Sequence, residues 1–192
     1  MSSPPTPSNA SESLPAGAAQ LLDFWREAGP ARWFKKDGQF DDTFRRRFLA
    51  LHEAAARGEL EAWAASAEGA LALLLLLDQF PRNAFRGSER MLATDAKALA
   101  LAQQALAAGF DDATDAALRN FFYLPFMHSE ALTHQDLAVE LTRPLEAQAH
   151  RFAILHRDII ARFGRFPHRN SLLGRDTSPE EQRFLDEGGF AG

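Results

Sequence analysis

Apolar side chains recur along this chain at intervals of three and four residues, and those intervals predict helices. Leu21, Leu22, Trp25 and Ala28 mark a first helix that closes at Gly29-Pro30. Phe40, Phe44, Phe48, Leu51 and Ala55 mark a second, with Asp41 or Asp42 as its cap and Gly58 as its stop. Residues 59–65 form a short helix carrying Trp63, and residues 69–79 another, whose seven consecutive apolar residues at 71–77 require burial on every side. Thr94 or Asp95 opens a helix through Leu99, Ala102 and Leu106 that ends at Gly109. The next spans 114–122 and is interrupted at Pro125; Ser129 caps a segment reaching Leu141. Pro144 begins a long helix to Phe163-Gly164, and Ser178-Pro179-Glu180-Glu181 is a capping box with proline in its first turn. Strand formers are scarce: valine occurs only at Val139, while Ala and Leu fill the aliphatic positions. The pattern predicts an all-α fold of eight or nine helices, joined by short loops in stacked antiparallel pairs.

Composition fits a single domain. The 192 residues include 16 Phe and 3 Trp, enough apolar surface for one substantial core over residues 18–192. Residues 1–17, rich in Ser, Pro and Ala without an apolar run, read as a disordered lead rather than a signal peptide, and the Asn9 sequon within them as accidental. The longest aliphatic run is too short to cross a membrane, so a cytoplasmic protein is expected. The absence of cysteine removes disulfides, thiol nucleophiles and thiolate metal sites. A net charge of −5 argues against broad attachment to nucleic acid or anionic lipid. The distribution changes that picture locally, because between residues 143 and 183 eight arginines face five carboxylates, a local balance of +3 that suits an anionic ligand.

One signature is used twice. Phe80-Pro81-Arg82-Asn83 follows the leucine-rich segment, and Phe166-Pro167-His168-Arg169-Asn170 follows the long helix, with the shared Arg and Asn 87 residues apart. Phe-Pro is expected to end each preceding helix, since proline has no N–H and restricts the residue before it. The arginine then offers a planar donor fork at the mouth of the break. Two such mouths could face one site.

These residues also carry a resemblance. Trp33-Phe34, the run from Leu77 through Asp78, Gln79 and Asn83 with Phe85-Arg86-Gly87, Leu124-Pro125-Phe126-Met127-His128-Ser129-Glu130, and the second Phe-Pro loop with Leu173-Gly174-Arg175 together resemble the bacterial family of unknown function DUF924. The similarity runs from the first helix to Phe184-Leu185. It implies an all-helical fold similar to tetratricopeptide repeats, and no established activity, cofactor or catalytic residue.

The candidate chemistry is polar and arginine-rich. His156 shares the stripe of Phe152 and Phe163, so it is expected to be buried, as a core imidazole or as an acid, base or ligand with a shifted pKa. Asp78 stands at the end of an apolar face where negative charge is disfavoured, and calls for a cationic partner among Arg82, Arg165 and Arg169. His128 and Glu130 flank Ser129; adjacent residues cannot build a serine triad, and no histidine spacing matches a metal motif. Arg82, Asn83, Arg86, Arg165, His168, Arg169, Asn170 and Arg175 form the candidate ligand set, with two competing roles: satisfying helix ends and acids such as Asp78, Asp95 and Glu130, or clamping a phosphate or carboxylate. The leading expectation is a non-catalytic module binding an anionic small molecule or a peptide carboxylate, with neither metal nor cofactor. One alternative is a hydrolase or transferase using His128, His156 or His168 as acid or base, with Asp78 and Glu130 as candidate partners. The other is a purely structural network of arginines and carboxylates.

Overall fold

The computed structural model describes residues 14–190, and every regular element among them is helical. The Asn9 sequon and most of the expected lead lie outside these residues. Helix α1 (Ala16–Ala28) begins inside the segment expected to precede the domain, burying Ala18, Leu21, Leu22 and Trp25, and ends at Gly29 with φ of 69°. The single turn α2 (Pro30–Trp33) brings the Trp33 indole N–H to the Trp25 carbonyl at 2.7 Å. Helix α3 (Gly38–Arg57) is capped by Asp37, whose carboxylate accepts the Gln39 and Phe40 N–H groups at 3.1 and 3.2 Å. The cap therefore falls one turn earlier than Asp41 or Asp42, which sets Phe40 on the buried stripe with Phe44 and Phe48 and leaves the Asp41 carboxylate for other partners. Gly58, in the left-handed region with φ of 83°, stops it as expected.

At the centre lies α4 (Ala67–Leu74), preceded by a 3-10 turn, Glu61–Ala65, that buries Trp63. Residues 71–77 are all 5% exposed or less, because α4 and its extension pack against α1, α3, α6 (Asp95–Ala107) and α7 (Ala116–Met127). That run is buried on all sides, as its unbroken apolar character demands.

The chain does not break at the first Phe-Pro. A wide π-turn, Leu75–Gln79, leads directly into α5 (Phe80–Ala84), with Phe80 itself in helical geometry (φ −55°, ψ −49°). Proline is tolerated because it sits in the opening turn of α5 and because the carbonyls its missing N–H would have served find other donors. The Leu76 carbonyl accepts the His52 Nδ1–H at 2.9 Å, the Leu77 carbonyl accepts the Thr94 hydroxyl at 2.5 Å, and the next carbonyl, of Asp78, accepts Arg82 at 2.9 Å. The His52 ring also stacks on Phe80, centroids 4.7 Å apart. Thr94 thus stands at the cap position of α6 with its hydroxyl committed to a neighbouring element.

Pro125 likewise lies inside α7, which continues to Met127 and starts from Asp115, whose carboxylate accepts the Ala117 N–H. Helix α8 (Leu132–Thr142) follows Ala131; Ser129 accepts the Ala131 N–H at 3.2 Å from just outside the helix. Helix α9 (Ala147–Phe163) starts three residues after Pro144 and ends at Gly164. The Phe166-Pro167 pair does sit at a true break: Phe166 is extended and a 3-10 turn, Pro167–Arg169, follows. The capping box at Ser178 and Glu181 opens α10 (Pro179–Asp186) as predicted. Successive contacts join α6 to α7, α7 to α8 and α8 to α9, and Ile159, Ile160, Phe166, Phe163, Phe184 and Phe190 form a smaller cluster between α9 and α10.

Replacing Thr94 with Val keeps the shape of the side chain but strands the Leu77 carbonyl. The expected loss is about 1–3 kcal/mol of unfolding free energy, read from the urea midpoint; an unchanged midpoint would show that the carbonyl needs no donor.

Candidate functional site

The wide turn places Asp78 at the meeting of α5, α6 and α7. Its side chain is 2% exposed and surrounded by donors: His128 Nδ1 at 2.7 Å and Arg82 at 3.1 Å on one oxygen, Gln79 at 2.7 Å on the other. Arg82 spreads its fork onto Asp95 at 2.8 and 3.0 Å. Burial by itself would push the Asp78 carboxyl up, but the Arg82 guanidinium and the His128 donor outweigh it and hold the group well below the ordinary carboxylate range. Since Asp78 is ionised, His128 must carry its proton on Nδ1. Burial first, then the Arg82 charge, lower the His128 pKa against the pull of Asp78, so the ring is neutral with its Nε2 lone pair uncommitted to Asp78.

The second Phe-Pro loop comes to the same place. Arg169, 7% exposed, donates to the His128 carbonyl at 2.9 Å and lies over the Phe166 ring, 4.4 Å from its centroid. That bond satisfies one of the carbonyls left open at the end of α7, while Gln135 serves the Met127 and Ser129 carbonyls at 2.7 and 2.6 Å. Among the described residues the nearest carboxylate oxygen to Arg169 is on Asp95, at 3.8 Å, beyond hydrogen-bonding reach, and its Nε–H has no partner. Burial, then repulsion from Arg82, lower its pKa to about 10. The two loops therefore meet through Asp95, one arginine bound to it closely and the other at a distance.

Two more imidazoles adjoin. His156 donates Nδ1–H to the Phe152 carbonyl one turn back at 2.7 Å, and its ring lies 6.4 Å from that of His128. Burial, then the neighbouring His128, lower its pKa to about 4. His168 is lowered to about 4 as well, by burial and then the Arg169 charge, and its Nδ1 is buried without a partner among the described residues. The Phe190 ring sits against both, centroids 4.6 Å from His156 and 5.2 Å from His168.

The remaining predicted residues are occupied elsewhere. Asn83 and Arg86 both bind the Asp41 carboxylate, at 2.7 and 2.8 Å. Arg165 forks onto Glu181 at 2.7 and 2.9 Å and donates to the Asp176 carbonyl. Arg175 forks onto Glu130 at 2.7 and 3.0 Å, and Glu130 also accepts the Phe166 N–H at 2.8 Å. Asn170 is fully buried, its amide 3.4 Å from Thr177. For Arg82, Arg86, Arg165 and Arg175 the geometry is that of internal pairing. Among the described residues no group of three or more His, Cys, Asp or Glu is arranged to hold a metal ion. An open depression of about 710 Å³ lies away from this centre, along α3 at Gln39, Asp42, Arg45, Arg46 and Leu49.

Sequence reasoning missed Asp41, His52, Gln79 and Phe190. His52 had a signal, since it falls four residues after Phe48 on the same buried stripe. Phe190 follows the last helix, where no periodicity points to it.

The depressed histidine pKa values fix a pH dependence. His52, His128, His156 and His168 are all lowered from 6.5, so between about pH 4 and 6.5 the unfolded chain binds more protons than the folded one. Stability is expected to be fully present above pH 6.5 and to fall as the pH drops toward 4, with a shallower slope in His156→Gln; a flat urea midpoint over that window would contradict it.

No curated protein matches this sequence. A solved structure of a protein of unknown function from Agrobacterium tumefaciens is similar, at 53% identity and a TM-score of 0.88, over 89% of this chain and 97% of that one. The family described as bacterial protein of unknown function, DUF924, matches residues 21–189, a span that takes in Asp78, His128, His156 and both Phe-Pro loops. The chain belongs to the DUF924 family of bacterial proteins.

Proposed function

We propose that this protein is a cytoplasmic, tetratricopeptide-like helical module that binds a small anion through Arg169. One observation carries the reading: of the five motif arginines, Arg169 is the one without a carboxylate at hydrogen-bonding distance among the described residues, although it is 7% exposed. A buried guanidinium with an unpartnered Nε–H is costly unless something neutralises it. The uncommitted His168 Nδ1 beside it offers a second polar contact. With the proton of the neutral His168 ring on Nδ1, an oxyanion would accept from both, with the bidentate geometry that guanidinium groups favour. The cytoplasmic part of the reading rests on the lack, among the described residues, of any helix long and apolar enough to cross a membrane.

Titration calorimetry with inorganic phosphate and with acetate is the test. The intact protein is expected to bind at least one, Arg169→Gln to lose at least about tenfold in affinity, and Arg86→Gln, whose arginine is paired with Asp41, to bind as the intact protein does. Absence of binding to both anions would leave the arginines with structural work alone.

A second reading, a hydrolase or transferase acting on an anionic substrate, is favoured by the Asp78–His128 hydrogen bond. It holds the imidazole in the tautomer whose Nε2 can accept a proton, with Asp78 as the positioning carboxylate. Its mark would be turnover of p-nitrophenyl phosphate that is lost in His128→Gln; no turnover by the intact protein favours the non-catalytic reading.

A further inference from the structure

The far side of the centre is closed by the protein's own chain. After α10 the backbone reverses at Gly188, with φ of 82°, and Gly189 donates its N–H to the Phe184 carbonyl at 2.9 Å. A Cβ on Gly189 would come within 2.5 Å of that carbonyl, so the turn needs both glycines. Helix α10 is itself fastened, by the Glu181 fork to Arg165 and by Arg162 to Glu180 at 3.0 Å. The reversal therefore delivers Phe190 to a defined place, edge-on to His156 at 60° and to His168 at 82°. Both imidazoles are neutral at ordinary pH, so they present apolar, aromatic walls.

Phe166 connects this seat to the anion site. Its ring lies 5.5 Å from His156 and 5.5 Å from His168, and it carries the Arg169 guanidinium at 4.4 Å. The aromatic seat made by the two imidazoles and a loosely paired cation, 3.8 Å from Asp95, are thus linked through the Phe166 ring. Resting on the anion-binding reading, we infer that the ligand is an aryl-bearing oxyanion, a small aromatic phosphate or carboxylate, and that Phe190 fills the aryl seat when the ligand is absent. Edge-on contacts with the two imidazoles reward an aromatic group over an aliphatic one of equal size. The anionic end then reaches the Arg169 Nε–H and His168 Nδ1, which the phenyl ring of Phe190 leaves unserved. Phe190 acts as an internal competitor: the ligand's apparent affinity is reduced by the fraction of molecules in which the seat is already taken.

Calorimetry on the full chain, comparing phenyl phosphate with inorganic phosphate, tests this. Phe190→Ala is expected to bind phenyl phosphate about tenfold more tightly than the unsubstituted protein, with inorganic phosphate changed by less than about twofold. Phe190→Trp, which fills the seat more completely, is expected to weaken phenyl phosphate instead. If inorganic phosphate binds all three proteins and phenyl phosphate gains nothing in Phe190→Ala, or both anions gain equally, the aryl seat is refuted while the anion site stands. If neither anion binds any of them, the anion site fails and the aryl seat with it. A thermal melt of each variant shows whether the fold is kept, and the tryptophan variant tests the inference should alanine destabilise the smaller cluster.

Discussion

A carboxylate with almost no exposure to water can remain ionised only if the protein supplies the donors that water would have given, and Asp78 is such a group. Its two oxygens take three donors, from Gln79 beside it in the chain, from Arg82 one turn on, and from His128 fifty residues away. Removing Arg82 leaves the buried charge without its cationic partner, a defect worth on the order of 3–5 kcal/mol when such pairs are broken, and removing either neutral donor leaves the carboxylate one hydrogen bond short. The geometry of α5, α6 and α7 is tied to this demand. Arg82 can serve Asp78 only while Asp95 holds the rest of its fork, and His128 can donate only while α7 ends where it does. The Arg169 bond to the His128 carbonyl then extends the same dependence to the loop after α9.

That arrangement begins with a proline. An unbroken α-helix through Pro81 would leave the carbonyl one turn back without a donor and set the ring against it, a cost of about 3 kcal/mol or more. The wide turn at Leu75–Gln79 relieves the crowding, and His52, Thr94 and Arg82 serve three successive carbonyls from outside. The side chains that repair the helix also fasten α3 and α6 to it. A local defect has become the point at which distant elements are held in register, and π-turns of this kind recur where a chain positions functional groups.

The helical pattern was legible because burial in an all-α protein writes a period of 3.6 into the apolar positions, and α1, α3 and α6 follow it closely, while α10 was legible from its capping box. The behaviour of Phe80-Pro81 was not. Local rules make that dipeptide a helix end, and only donors brought by tertiary packing from residues 52 and 94 reverse the outcome. The same limit applies to the site. Asp78 could be recognised as needing a cation, since a charge at the end of a leucine face has few other resolutions, and Arg82 was among its expected partners. The preference of Asn83 and Arg86 for Asp41 could not be read, because Asp41 suits the cap position equally well and only the true start of α3 at Asp37 frees it. Phe190 was hidden for another reason: its position depends on a glycine reversal rather than on any repeated pattern.

The doubled signature does not make two equivalent halves. Around the first copy the helix continues, its arginine is bound closely by Asp95, and its asparagine joins Arg86 on Asp41. Around the second the helix has ended, its arginine reaches a carbonyl and an aromatic face, and no carboxylate among the described residues approaches within hydrogen-bonding distance. The same residue types thus divide the work by context: Arg82 stabilises a buried acid, and Arg169 is left with charge to offer. Because Asp95 stands between them, the closeness of its bond to Arg82 sets how little it can give to Arg169. Any change that turned Asp95 toward Arg169 would strengthen the second pair and weaken the support of Asp78, so the loose pairing of Arg169 follows from the need to keep Asp78 ionised.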